Sequence, residues 1–135
     1  MVTAVDTSVL LDVLTNHSSF AEVSKSALRQ AFQEGSLIVN ETVIAELSPA
    51  LSASQFRHFL DDWELNFVPS SLESALLAGE MFRYYIKQGG KRDRVLPDLL
   101  IGAHAQKHAN RLLARDRGYF KNYFKHLKVW DPSLK

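Results

Sequence analysis

The segment Val2-Thr3-Ala4-Val5-Asp6-Thr7-Ser8-Val9-Leu10-Leu11-Asp12-Val13-Leu14 decides the fold. Val2–Val5 is a short apolar run of strand length, and from Ser8 to Leu14 the apolar residues recur at helical spacing. A single acid, Asp6, stands at the junction. The alternation continues outward from here. Ser19 with Glu22 predicts a capping box for a helix to about Glu34, ended by Gly35. Leu37–Val39 follows as a second strand. Asn40 is placed to cap a short helix over Glu41–Leu47, interrupted near Pro49, and Ser52 with Gln55 opens another that ends near Asp62. Leu65–Val68 reads as a third strand. Ser70 with Glu73 opens a long amphipathic helix to about Gln88, stopped by Gly89-Gly90. A basic loop, Lys91–Arg94, leads to Pro97, which suits the first position of a helix through His108. Arg111–Ala114 is a fourth strand, Arg117–Lys125 a helix and Val129–Trp130 a last short strand. Strands alternating with helices imply crossover connections. The expectation is one α/β domain over residues 1–135, with a parallel sheet of four to five strands and helices on both faces.

Composition agrees with one globular domain. Of 135 residues 46% are hydrophobic, and Gly and Pro number only 6 and 4, which excludes disordered and collagen-like chains. The absence of cysteine removes disulfides, thiol catalysis and cysteine-ligated metals. No apolar run approaches the roughly 18 residues of a membrane span. The opening residues lack a basic segment and carry Asp6 and Asp12, so the expected location is the cytoplasm. The formal charge of +1 conceals a polarity. Residues 1–80 hold 11 acids and 3 Lys or Arg, and residues 81–135 hold 4 acids and 13 Lys or Arg. The basic half either faces a polyanion or neutralises the acidic half across the fold.

Four acids border apolar elements. Asp6 and Asp116 each follow an apolar run, at the carboxyl ends of two strands where α/β sheets bind ligands. Each could also simply cap the helix that comes next. Asp98 sits in the first turn of an otherwise apolar helix, where the macrodipole favours a negative charge. Glu46 lies in the apolar segment Thr42–Leu47, with no basic residue at helical pairing distance; it marks a site or a solvated edge. If the four converge, their repulsion needs a cation, and oxygen ligands without His or Cys select Mg²⁺ or Mn²⁺. One or two such ions suit phosphodiester cleavage without a covalent nucleophile.

Taken together, Val5-Asp6-Thr7-Ser8-Val9-Leu10-Leu11-Asp12, Glu46-Leu47, Asp98-Leu99-Leu100-Ile101-Gly102-Ala103-His104-Ala105 and Leu113-Ala114-Arg115-Asp116-Arg117-Gly118-Tyr119-Phe120 resemble the PIN-domain family. The likeness is strongest to the VapC-type toxins of toxin–antitoxin pairs. It spans nearly the whole chain with the motifs in order. The resemblance implies a Mg²⁺- or Mn²⁺-dependent endoribonuclease that leaves a 3′-hydroxyl and a 5′-phosphate, forms homodimers and is restrained by a cognate antitoxin. By motif, Asp6, Glu46, Asp98 and Asp116 become the metal-site and catalytic acids. Thr7, or Ser8 beside it, becomes a hydroxyl that orients a carboxylate or a metal-bound water. Asp12 matches the motif but is turned away from Asp6 around the helix. Pro97 stands where relatives more often carry a small residue.

The other constellations carry less. His104 and His108 have zinc-ligand spacing, but His104 lies in an apolar run and reads as a core histidine, and His108 as a surface residue compensating the helix dipole. There is no phosphate-cradling loop or nucleophile elbow. Arg115–Lys128 interleaves bases with rings, so Tyr119 or Tyr123 could stack unpaired bases while Phe120 and Phe124 pack inward. Arg92, Arg94, Arg115 and Arg117, beside the acids, are the candidate RNA contacts. Apolar rings at Phe56, Phe59, Trp63, Phe82 and Tyr85 belong to the core, with any exposed remainder marking a dimer or antitoxin interface. Two other readings stay open: a non-catalytic module that binds an antitoxin or nucleic acid, and a metal-dependent DNA nuclease.

Overall fold

In the computed structural model of the chain, residues 1–91 and 94–134 are described. Five strands form one sheet: β1 (Val2–Val5), β2 (Ser36–Val39), β3 (Leu65–Phe67), β4 (Arg111–Leu113) and β5 (Val129–Trp130). They pair in parallel throughout, in the order β3-β2-β1-β4-β5. The central registers set Ala4 opposite Ile38 on one side and Leu112 on the other. The expected parallel α/β sheet is therefore the observed one, at the upper end of the expected strand count.

The intervening helices are α1 (Thr7–Leu14), α2 (Ala21–Glu34), α3 (Glu41–Leu47), α4 (Ala53–Asp62), α5 (Leu72–Lys87), α6 (Leu96–His108) and α7 (Tyr119–Tyr123), with a 3₁₀ turn at Ser48–Ala50. Right-handed crossovers are the rule for parallel strands. Here the chain steps one way from β1 through β3 and then back past β1 to β4, so its connections fall on opposite faces of the sheet. That reversal between β1 and β4 is the feature that makes the site.

Local chemistry explains most helix starts. Asp6 caps α1, Asn40 caps α3 through the Val43 N–H, and Ser52 with Gln55 forms the expected capping box of α4. Four starts differ from the sequence pattern. Ser19 and Glu22 do not cap α2; the His17 Nδ1 instead accepts from the Ser19 and Phe20 N–H groups. The box of α5 is Ser71 with Ser74, one residue later than Ser70 with Glu73, because Ser70 is held by a Glu41 carboxylate at 2.8 Å. Helix α6 begins one residue before Pro97. Helix α7 is shorter than Arg117–Lys125 because Gly118, at φ +105°, takes the left-handed conformation just before it.

Val5, Leu37, Val39, Leu112 and Leu113 are all buried in the sheet's core, and burying a side chain of this kind stabilises by about 1.5–3 kcal/mol. Phe120 and Phe124 bury as expected. Phe124 packs against Gly102 of α6 so closely that a Cβ there would lie 2.4 Å from the ring. At the far end of the sheet Arg111 is buried, donates to Thr3 Oγ1 at 2.9 Å, pairs with Glu34 and lies over Trp130. This pair joins the basic and acidic halves of the chain, so neutralisation across the fold absorbs part of the charge polarity. Leu72, Leu76 and Phe67 remain more than half exposed.

Candidate active site

Beyond the carboxyl ends of β1 and β4 the reversal of crossover direction opens a cleft of about 440 Å³. Asp6 follows β1 directly, and its N–H donates to the Leu113 carbonyl at 2.9 Å, so the sheet ladder itself fixes its backbone. Asp116 follows β4 after two residues. Glu46 arrives from the last turn of α3 and Asp98 from the first turn of α6. All four acids line the cleft, with Thr7, Ser8, Arg94, Arg115, Arg117 and Tyr119 among the other lining residues.

The cap and ligand readings of Asp6 and Asp116 turn out not to compete. Asp6 Oδ2 accepts from the Ser8 N–H at 3.1 Å and the Ser8 hydroxyl at 2.5 Å while bordering the cleft. Asp116 accepts from the N–H groups of Gly118, Phe120 and Lys121 at 2.8–3.2 Å. Thr7 donates its hydroxyl to Glu46 Oε1 at 2.6 Å. Thr7 and Ser8 therefore each hold a carboxylate, and not the same one. Ser8 does more: its oxygen accepts the Arg115 N–H at 3.1 Å, joining the ends of β1 and β4.

Burial raises the Asp6 carboxyl above its ordinary value, with Glu46 adding to it against the lowering bonds from Ser8. Asp98 is pushed up to about 6, first by burial and then by the charges of Asp6 and Glu46, with Arg117 pulling the other way. Crowded carboxylates of this kind are relieved either by protonation or by a cation. The donors are oxygen only, which fits a hard divalent ion. Among the described residues, however, no three His, Asp or Glu side chains are drawn together closely enough to hold an ion as they stand. Like charges without a counter-ion repel, so a closed cage is not the arrangement expected of the acids alone.

The candidate basic contacts divide. Arg94 and Arg117 are exposed and line the cleft. Arg115 is engaged inside the protein instead: it grips Asp12 with Nε and Nη2 at 2.8 Å each, and its guanidinium lies 4.2 Å from the Phe20 ring centre. Arg92 lies outside the described residues. Asp12, facing away from the acids, is buried and also accepts from Ser24 at 2.8 Å. Sequence reasoning passed over Asp131, whose Oδ2 accepts the Asp116 N–H at 3.1 Å. Its signal was present: an acid directly after the apolar pair Val129-Trp130, the pattern already used for Asp6. His104 is buried, its Nε2 2.7 Å from the Val68 carbonyl oxygen, and burial lowers its basicity. His108 is half-buried rather than free at the surface, 3.0 Å from the Ser71 hydroxyl.

Comparison with known proteins fits this geometry. The sequence matches the PIN domain over residues 3–125. The chain belongs to the PIN-domain family. No curated protein matches its sequence. Among solved structures it is similar to VapBC2 from Rickettsia felis bound to a promoter DNA fragment, with TM-score 0.73 and 21% identity over 97% of this chain and 100% of that one. It is similar also to VapBC-1 from nontypeable Haemophilus influenzae (0.73, 18%, covering 99% and 100%) and to FitAcB from Neisseria gonorrhoeae (0.67, 18%, covering 96% and 97%). At these identities the likeness is one of fold. The PIN fold of this chain thus spans almost all of its length, and the acid cleft lies at the fold's switch point.

Proposed function

We propose that this PIN domain is a VapC-type toxin: an endoribonuclease that depends on one or two Mg²⁺ or Mn²⁺ ions and works in the cytoplasm as a homodimer under the control of a cognate antitoxin. The observation that carries the reading is the meeting of Asp6, Glu46, Asp98 and Asp116 in one cleft, two of them with carboxyls raised by burial and mutual charge. The fold shared with the VapBC structures supports the antitoxin. No helix of the described residues is long and apolar enough to cross a membrane.

These four acids would hold the ion, which when bound supplies the positive charge and the acidified water that phosphodiester hydrolysis needs. The chain does the rest. Ser8 fixes the rotamer of Asp6 and Thr7 that of Glu46, so neither carboxylate must be ordered when substrate arrives. The backbone N–H groups at the start of α7 hold Asp116 in place. Asp98, pushed up to about 6 by burial and by its neighbouring acids, would be held ionised by the bound cation. Arg94 and Arg117 at the rim meet the phosphates beside the scissile bond, and RNA binding weakens with salt. Cleavage leaves a 3′-hydroxyl and a 5′-phosphate.

One observation favours a second reading, a non-catalytic module that binds an antitoxin or nucleic acid: no three acids stand ready around a point among the described residues. Incubating the protein with matched RNA and single-stranded DNA, with Mn²⁺ or with EDTA, separates these possibilities. The nuclease reading expects metal-dependent scission of RNA, lost in Asp6→Asn together with growth inhibition while dimers persist. Scission of DNA alone marks a DNA nuclease, and toxicity unchanged in Asp6→Asn marks the binding module.

A further inference from the structure

Beside the acid cleft, α5 and α7 assemble four tyrosines into one connected set. Tyr85 meets Tyr119 edge-on with ring centres 6.3 Å apart, and meets Tyr123 at 5.9 Å; Tyr123 meets Tyr84 at 5.9 Å. Tyr119 stands in the wall of the acid cleft. Tyr84 and Tyr123 line a separate groove of about 540 Å³, together with Gln88, Asn122, Lys125 and His126. The rings thus link the acids to a second concavity.

This face is not the core stripe of α7, because Phe120 and Phe124 fill that role. Tyr84 is half exposed, its hydroxyl tied to Gln88 at 2.7 Å. The segments that carry the rings are basic, although the cleft acids border them at Tyr119. Residues 81–91 and 117–128 together hold seven Lys or Arg and no Asp or Glu, in a chain that has 15 acids. Among the described residues no Asp or Glu lines the groove, so Lys125 finds no acidic partner there on a second copy of the chain. Cations, amides and phenol rings in one groove instead match phosphates, base edges and base faces.

We propose that the groove between α5 and α7 binds the unpaired nucleotides of a single-stranded RNA, stacking bases on Tyr84 and Tyr123 and holding phosphate with Lys125, so that the strand continues past Tyr119 to the acids. The RNA identity of the strand rests on the ribonuclease reading above. Recognition by stacking selects unpaired over duplex RNA.

The test uses the whole chain in EDTA, an unstructured pyrimidine RNA of about 12 nucleotides and the same sequence as a duplex. The single strand is expected to bind more tightly than the duplex and to quench tyrosine fluorescence. Tyr84→Ala weakens it about 10-fold or more while Tyr84→Phe keeps it. Lys125→Glu weakens it and lowers the salt slope by about one or more. Equal affinity for both RNAs, or unchanged single-strand binding in Tyr84→Ala and Lys125→Glu, overturns the proposal. So does conversion of an oligomer to monomer by either variant in sedimentation, which would make the face a contact between copies. Hydrolysis of a dinucleotide in Mn²⁺ reports on the nuclease reading separately, because so short a substrate does not need the groove. Its absence from the wild type, with Tyr84-dependent single-strand binding intact, overturns the nuclease reading alone.

Discussion

Arg115 binds Asp12 through two N–H···O bonds of 2.8 Å each, tying the end of β4 to the middle of α1. Asp12 is almost wholly enclosed, whereas Arg115 keeps part of its side chain in solvent and covers the Phe20 ring. Arg115 lines the cleft while Asp12 lies behind it, and the two elements they join are those that carry Asp6 and Asp116.

Removing one member of such a pair leaves the other buried without its partner. Asp12→Asn is expected to cost about 2–4 kcal/mol in urea unfolding, towards the lower part of that range because Arg115 can reach water. A loss below about 0.5 kcal/mol would show that the pair contributes little.

The crowded acids make a pH prediction. Asp98 holds its proton up to about 6 in the folded chain against 3.8 ordinarily, so between these values the native state binds more protons than the unfolded one. Its contribution to stability therefore falls as pH rises through that window and stays low above it. His104 acts in the opposite sense, since its buried neutral ring favours folding less as pH drops below 6.5. The informative comparison is wild type against Asp98→Asn in EDTA. At pH 7 the variant should melt a few degrees higher, and at pH 4.5 the gap should close. Millimolar Mg²⁺ or Mn²⁺ should raise the melting temperature of the wild type and do so less in the variant.

Ser8→Ala removes the hydroxyl that orients Asp6 and receives the Arg115 N–H. RNA cleavage should fall about 10- to 100-fold, with a higher metal requirement. Thr7→Val should cost less, because its partner Glu46 is exposed and can find water instead. Titrating activity against Mn²⁺ for both variants checks the order.

Gly102→Ala gains helix propensity but drives a methyl group to within 2.4 Å of the enclosed Phe124 ring. Net destabilisation of about 1–3 kcal/mol is expected, recovered in part by Phe124→Leu. Chemical denaturation of the two single variants and the double variant measures it.

The sheet was legible because each strand is an apolar run bounded by a helix signal or by Gly, and parallel strands need only that pattern. The order of strands was not legible: nothing in the sequence says that β1 lies beside β4, the neighbourhood that brings Asp6 and Asp116 to one cleft. Helix starts were less legible where a side chain outside the local window wins, as when Glu41 takes the Ser70 N–H or His17 takes those of Ser19 and Phe20. Asp6, Asp116 and Asp98 were readable as strand-end and first-turn residues, and Glu46 only as an acid in an apolar segment without a basic partner. The partner of Arg115 was not, since a basic residue beside a site looks the same in sequence whether it faces a ligand or a carboxylate 103 positions away. Asp131 shows the converse, a readable pattern left unused.

Asp6 terminates a strand, starts a helix and borders the cleft with one carboxylate. Chemistry and architecture are thereby welded at that position. A drift to alanine would loosen α1 as well as silence the site, so a disarmed descendant that remains well folded should carry asparagine there, which caps as well as aspartate but brings no charge. Inactive relatives, on this view, would be betrayed by an amide and not by a gap.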